Sequence, residues 1–298
     1  MRMRIAVTGK QGQVVTALIE RGPQAGVEII AVGRPELDLA DPASIRRVLA
    51  ELKPDAIVSA AAYTAVDKAE SEPELAFTVN AKGPEALAHI ADELGIPVVH
   101  LSTDYVFPGD KDGIYLETDA TGPVSVYGQS KLAGEEAIAA AAANHTILRT
   151  AWVYSPFGAN FVKTMLRLAE TRDGLNVVAD QHGTPTSALD IADAVIAIAK
   201  RLATDADPKL RGVFHLTGSG EATWADFADE IFAGLKAKSG KTITVGRITT
   251  DQYPTPAKRP ANSRLSNDKL AKTYGIVMPD WKQSTAVVLD RLLSEANS

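Results

Sequence analysis

The chain has 298 residues, 45% hydrophobic and 23% charged, with a formal net charge of -6 and no cysteine, the make-up of a folded globular protein with one large core or two closely joined ones. A negative balance without a basic stripe gives no attraction for nucleic acid, and no apolar run approaches the ~20 residues that span a membrane. Disulfides and thiolate chemistry are excluded, and any metal site would need histidines and carboxylates, yet the five histidines do not cluster.

Met1-Arg2-Met3-Arg4 leads into an apolar run without a secretory h-region, so a cytoplasmic location is expected. Ile5 to Thr8 is followed by Gly9-Lys10-Gln11-Gly12-Gln13-Val14 and the helical spacing Val15, Leu18, Ile19, which predicts a strand, a glycine turn and a helix start. Gly9 and Gly12 would let backbone N–H groups approach a pyrophosphate, whose charge a helix N-terminus favours; Gly9, Gln11, Gly12, Gln13 and Val14 are candidate cofactor contacts. Val15 stands where a third glycine would allow close helix-to-strand packing.

A second strand, Glu28 to Val32, ends at Gly33-Arg34. An arginine where an acid would grip a ribose hydroxyl suits a 2′-phosphate, favouring NADP over NAD, although a plain surface charge explains it equally. Asp38 and Leu39 could sit at the adenine, before a helix from Ala43 to Leu52 capped by Asp41 or Ser44. The buried strand Ala56 to Ala60 runs into Ala61-Ala62-Tyr63, small residues that leave room for a ligand or pack closely. A helix from Pro84 to Leu94 and a strand from Pro97 to Leu101 follow, and Ser102, Thr103 and Asp104 then emerge at the same carboxyl edge, as a binding group or a turn.

Tyr127 and Lys131 are four residues apart, one turn of a helix that runs to about Ala142. A tyrosine loses its proton near pH ~10, and a lysine charge beside it would lower that value, making the pair a candidate acid-base group. With a strand from Thr146 to Arg149, the alternation predicts an α/β fold, a Rossmann-type doubly wound parallel sheet. Beyond residue 153 the expected elements are helices at Phe161 to Ala169, Leu189 to Leu202, Thr223 to Lys236 and Ser284 to Ser294, and strands at Asn176 to Ala179, Gly212 to Leu216 and Thr242 to Val245. They predict a smaller, interleaved α+β domain. The Pro-rich stretch from Tyr253 to Pro260 must be a loop.

A Ser/Thr at a strand end, followed by Tyr-x-x-x-Lys opening the next helix, resembles the triad layout of the short-chain dehydrogenase/reductase family. The ordered set of Gly9 to Val14, Ala61 to Glu70, Ser102 to Phe107, Tyr127 to Glu135, Arg149 to Tyr154, Asn160 to Leu166, Asp180 to Thr186 and Arg259 to Ser263 resembles its extended branch over nearly the whole chain. The resemblance implies a reductase of deoxysugar nucleotides: hydride passes from NADP(H), with NAD(H) as second choice, to a C4 ketone. By similarity Tyr127 donates the proton, Lys131 holds the nicotinamide ribose and lowers the Tyr127 pKa, and Thr103 bonds the sugar oxygen. Gly12, Gln13 and Val14 would contact the pyrophosphate, Asp38 and Leu39 the adenine end, and Ala61, Ala62 and Tyr63 the nucleotide body. Thr103, Asp104 and Trp152 would contact the nucleotide-sugar substrate, although Trp152 could instead simply pack. Lys258 and Arg259 suit a diphosphate or are solvated loop charges.

Residues 1–153 and 176–217 form the expected dinucleotide-binding domain, and 154–175 with 218–298 the nucleotide-sugar-binding one. Some members hold Mg²⁺ at a dimer interface; two of the needed acids align with Ala17 and Leu189 here, so no metal is expected and a homodimer is left open. Two further readings keep the fold: an NAD-dependent nucleotide-sugar epimerase or dehydratase, and a non-catalytic dinucleotide-binding regulatory subunit, against which the intact Thr103, Tyr127 and Lys131 argue.

Overall fold

In the computed structural model, which describes residues 2–295, the apolar runs become strands and the glycine and proline punctuation becomes turns. β1 (Met3–Thr8) passes through the glycine turn into α1 (Gln13–Arg21), and β2 (Val27–Val32) leads to α2 (Pro42–Leu52). β3 (Ala56–Ser59) precedes two short helices, α3 (Val66–Ala69) and α4 (Pro73–Phe77), then a π-helical turn over Thr78–Lys82 and α5 (Gly83–Leu94). β4 (Val98–Thr103), α6 (Val126–Ala141) and β5 (His145–Thr150) complete the regular alternation. The remainder comprises β6 (Val153–Tyr154), α7 (Phe161–Ala169), β7 (Gly174–Val178), β8 (His182–Gly183), β9 (Thr186–Ser187), α8 (Ala188–Thr204), β10 (Gly212–His215), β11 (Ala222–Thr223), α9 (Trp224–Ser239), β12 (Thr244–Ile248), α10 (Asp268–Tyr274) and α11 (Trp281–Glu295).

Six strands form one parallel sheet in the order β10-β5-β4-β3-β1-β2. Side chains alternate across it, so both faces are buried: Ile5 and Val7 pack with Leu18 of α1 and Ile191 and Val195 of α8, while Ala6 packs with Ile45 and Leu49 of α2 and Leu87 of α5. This is the Rossmann-like doubly wound arrangement that the alternation predicts. The chain runs outward from β1 to β2 and then crosses to β3 on the other side, so strand order reverses between β1 and β3. Connections diverge at such a switch point and leave a crevice beyond the carboxyl ends of the strands.

Local chemistry sets the boundaries. Asp41 caps α2 by accepting from the Ala43 N–H at 3.0 Å, Ser125 caps α6 through the Gly128 N–H at 3.2 Å, and Gly95 closes α5 in the left-handed region at φ 68°. Two features depart from the sequence reading. β7 pairs in parallel with β12, so residues 176–178, grouped by the sequence with the first domain, hydrogen-bond into the second segment. Helix α10 was unforeseen because its seven residues are too few to set up an amphipathic period. Among the described residues no helix is long and apolar enough to cross a membrane.

The helix that carries Tyr127 and Lys131 is seated unusually close to its neighbours. A Cβ on Gly134 would lie 2.1 Å from the Asn80 carbonyl oxygen of the π-turn, and one on Gly128 would lie 2.2 Å from that of Tyr105. Substituting Gly134→Ala should therefore force α6 outward and destabilise the fold by about 1–3 kcal/mol, as overpacking does elsewhere. Thermal unfolding followed by circular dichroism would register this as a lowered midpoint. A midpoint equal to that of the wild type would mean that α6 can shift freely.

Candidate active site

The first βα turn has the shape of a phosphate cradle. Gly9 adopts φ 102°, which side chains rarely tolerate, and a Cβ there would come within 3.3 Å of Val15 and 3.5 Å of Ala61. Gly12 opens α1 without a side-chain cap, so no capping group competes with an anion for the first amides of α1. Val15, where a glycine was expected, is buried against Gly9. The Gln13 side chain ties this turn to the β6–α7 loop, its Oε1 accepting from Ser155 Oγ at 2.7 Å and Asn160 Nδ2 at 3.0 Å.

Around this cradle, Arg34 is exposed and has no ion-pair partner among the described residues, while Lys10 is paired with Glu36. Asp38 closes a local turn by accepting from the Ala40 N–H, and Leu39 is buried against Gly83 at the start of α5. Ala60 and Ala61, at the end of β3, donate their N–H groups to Thr8 Oγ1, both at 3.0 Å, which joins the two strand ends that flank the crevice. Tyr63 is fixed by Asn80, which accepts from its N–H at 2.7 Å and donates to its carbonyl at 3.1 Å. Asn80 Nδ2 also donates to Ser130 Oγ of α6, which donates to the Tyr127 carbonyl. The sequence reading missed Asn80; its signal is an amide among apolar neighbours, which when buried must find partners.

At the carboxyl end of β4 lies the candidate acid-base group. Thr103 Oγ1 donates to Asp104 Oδ1 at 2.8 Å, and the other Asp104 carboxylate oxygen is buried without a hydrogen bond. Burial pushes Asp104 up to about 6, with the Ser263 and Thr103 hydroxyls opposing. Tyr127 meets Tyr105 edge to face, 5.5 Å between ring centroids. Its pKa moves upward, contrary to the sequence expectation: burial disfavours the phenolate, the Asp104 charge adds to this, and the Thr103 hydroxyl only partly offsets them. Lys131 does not reverse the shift because its ammonium is committed elsewhere, donating to the Leu101 carbonyl at 2.7 Å and lying 3.2 Å from His100 Nε2. Burial lowers Lys131 to about 8, with Glu135 opposing. Tyr127 therefore carries its proton at neutral pH, as a general acid must, and the upward shift makes it a weaker acid than a free tyrosine.

Beneath this group, Arg149 and Glu135 form an ion pair at 2.6 Å, with side chains only 5% and 4% exposed. Ser102 donates to the same carboxylate at 2.5 Å, and the guanidinium lies 4.9 Å from the centre of the Phe107 ring. Neither residue was picked out from the sequence as an ion pair, though an arginine inside an apolar strand is a visible signal.

Trp152, on the loop after β5, sits at φ 50° and stacks on Trp224 with centroids 3.8 Å apart. Its ring lies over Gly183, where a Cβ would come within 2.5 Å of the indole. A left-handed tryptophan is strained and persists only where surrounding structure holds it, as at binding sites. A cavity of about 1060 Å³ adjoins the cluster, lined by Tyr105, Asp67, Arg259, Phe161, Trp224, Gln181 and residues of β7 and β12. Arg259, from the Pro-rich loop, pairs with Asp67 at 2.7 Å. Lys258 is exposed. Ala17 and Leu189 are buried in the core that α1 and α8 share, and no group of histidines and carboxylates that could hold a metal occurs among the described residues.

A glycine cradle at the switch point and a Thr-Tyr-Lys group at the adjoining strand end define a dinucleotide-dependent oxidoreductase of the extended short-chain type. Comparison with known proteins narrows this further. The family model described as RmlD substrate binding domain matches residues 3–294. The dTDP-4-dehydrorhamnose reductase of Sinorhizobium fredii is 57% identical over 98% of this chain and 99% of its own length, and that of Escherichia coli K12 is 44% identical over 98% and 99%. Among solved structures, the Clostridium acetobutylicum reductase superposes with TM-score 0.90 at 39% identity, covering 97% of this chain and 99% of that one. The Bacillus anthracis reductase, determined in complex with NADP, gives 0.88 at 33% identity, covering 99% and 100%. The chain belongs to the dTDP-4-dehydrorhamnose reductase family. A Thermus thermophilus UDP-glucose 4-epimerase at 21% identity shares the fold alone.

The buried ion pair provides a check on how the site is supported. Removing one partner through Arg149→Met strands the Glu135 carboxylate and should cost about 3–5 kcal/mol, whereas Arg149→Met with Glu135→Leu should recover much of it. Chemical denaturation of both variants measures this, and equal losses in the two would contradict it.

Proposed function

We infer that this chain reduces the C4 ketone of dTDP-4-dehydro-β-L-rhamnose to dTDP-β-L-rhamnose with NADPH. The observation that carries this reading is the placement of Tyr127 beside Thr103 at the carboxyl edge of a parallel sheet, near the glycine cradle of the switch point, in a chain of that reductase family. Gly9, Gly12 and the amides that open α1 would hold the dinucleotide pyrophosphate, with Gln11, Gln13 and Val14 around them, and Asp38 and Leu39 the adenine end. Ala61, Ala62 and Tyr63 would border its body, and Lys131 would hold the nicotinamide ribose. When bound, NADPH supplies the hydride.

The chain's own part is to orient the ketone and handle the proton. Tyr127 holds the proton that the C4 oxygen takes up as negative charge develops on it, and the Thr103 hydroxyl would turn its one proton from Asp104 to the same oxygen. Charge appearing on that oxygen meets prearranged donors, which lowers the barrier without reorganising solvent. Asp104, beside Thr103, would border the sugar, and Trp152, backed by Trp224, would form a wall against it. The cavity between Tyr105 and Trp224 would receive the rest of the nucleotide-sugar.

Arg34, without an ion-pair partner among the described residues at the end of β2, supports NADPH over NADH through its match to a 2′-phosphate. The domain division at 153, 175 and 217 is retained as a proposal, with β7 moved to the substrate domain by its pairing with β12. A cytoplasmic location and no bridging metal complete the reading.

Tyr127→Phe should abolish most turnover, by about 100-fold or more, as expected on losing a general acid, while NADPH binding changes little. Oxidation of NADPH in the presence of enzymatically generated dTDP-4-dehydrorhamnose measures the first and fluorescence titration the second; near-normal turnover would sink the assignment. Arg34→Ala should cost about 1 kcal/mol or more of NADPH affinity, the scale of a charge-assisted hydrogen bond, and leave NADH affinity unchanged. Equal effects on both cofactors would remove Arg34 from the 2′-phosphate site.

A further inference from the structure

Beneath Lys131 lies a residue that the reaction above does not use. His100 of β4 is 1% exposed, with Nε2 3.2 Å from Lys131 Nζ and Nδ1 3.0 Å from Ser59 Oγ at the end of β3. Ser59 is equally buried. An ammonium has three protons and no lone pair, so the hydrogen-bond chain has one direction only. Lys131 donates, His100 Nε2 accepts and is bare, and the ring proton sits on Nδ1, from where it is donated to Ser59. A doubly protonated ring would point an N–H at the ammonium; burial and the Lys131 charge both hold His100 neutral. The other charged groups facing this chain are Glu135 of α6 and Arg149 of β5, which are paired with each other.

A histidine chosen only for packing has no need of a partner at each nitrogen, and an apolar side chain would fill the slot without the cost of burying an imidazole. We propose that His100 is a positioning residue for Lys131: its Nε2 takes one ammonium proton and the Leu101 carbonyl another, leaving a single N–H free to bond the ribose of the dinucleotide. This rests on the assignment of Lys131 to the ribose made above. Ser59 completes the device by holding the ring in the tautomer that keeps Nε2 bare.

The proposal has a sign that a purely structural role lacks. An acceptor beside a buried ammonium favours its charged form, so removing the acceptor lowers the Lys131 pKa further below its present value of about 8. Activity and NADPH binding that need the charged form are present below that pKa and disappear as pH rises through it. In His100→Leu the alkaline limb of kcat/KM and of NADPH affinity should move down by about one to two pH units, the worth of one hydrogen bond to a charged group. His100→Gln keeps an acceptor for Lys131 and a donor for Ser59 and should restore most of the limb. An unmoved limb in His100→Leu overturns the proposal, and so does a His100→Gln variant as impaired as His100→Leu.

Should the leucine variant fail to fold, nitrogen-15 NMR of the wild-type imidazoles decides the matter. A bare Nε2 with a protonated Nδ1 on His100 between about pH 6 and 8, either side of the ordinary histidine pKa, is expected, and the opposite tautomer or an imidazolium overturns the proposal. A wild-type protein that binds NADPH but reduces no sugar would instead contradict the reductase reading, and the NADPH-binding limb and the tautomer would still test His100.

Discussion

The structure depends on how closely α6 is seated against the sheet and the π-turn. One helix brings Tyr127, Lys131 and Glu135 to three different neighbours: Tyr127 to Tyr105, Lys131 to the Leu101 carbonyl of β4, and Glu135 to Arg149 of β5. Gly128 and Gly134 make that seating possible, since a side chain at either position would collide with a backbone carbonyl. The π-turn answers from the other side, where Asn80 links the Tyr63 loop to Ser130 and so to the Tyr127 carbonyl. A small slip of this helix would move Tyr127, Lys131 and the buried ion pair together.

Burial then sets the chemistry. Tyr127 is half-buried, and Asp104 and Lys131 are buried. Burial favours the neutral form of each: the phenol stays protonated, the carboxyl rises to about 6 and the ammonium falls to about 8. This pattern leaves a proton on Tyr127 at neutral pH and leaves Lys131 able to be charged there. It also explains why the lysine needs support from His100 and Leu101, because an ammonium with too few partners in such a place would give up its proton.

Much of this was legible in the sequence. The alternation of strands and helices through β5 follows from apolar runs with glycine and proline punctuation, and the positions of Gly9, Thr103, Tyr127 and Lys131 in that order pointed to the site. The partner of β7 was not legible, because a five-residue strand carries no mark of which sheet it joins and the pairing spans some seventy residues of chain. The Tyr127 shift was misread for a related reason. Spacing put Lys131 on the same helix face, but the direction of its ammonium is decided by His100 and Leu101 on another element. Trp152 shows the same division: its place in the motif was readable, whereas its left-handed backbone and its stack on Trp224 belong to tertiary structure.

The central claim is that hydride goes from NADPH to the sugar and leaves the cofactor oxidised. Turnover of dTDP-4-dehydrorhamnose with NADPH carrying deuterium at both positions of its hydride-donating carbon tests it most directly, with the product examined by NMR. The account predicts one deuterium at C4 of dTDP-rhamnose for each NADPH consumed. A rhamnose product without the label, or a sugar converted while the cofactor is retained unchanged, would contradict it.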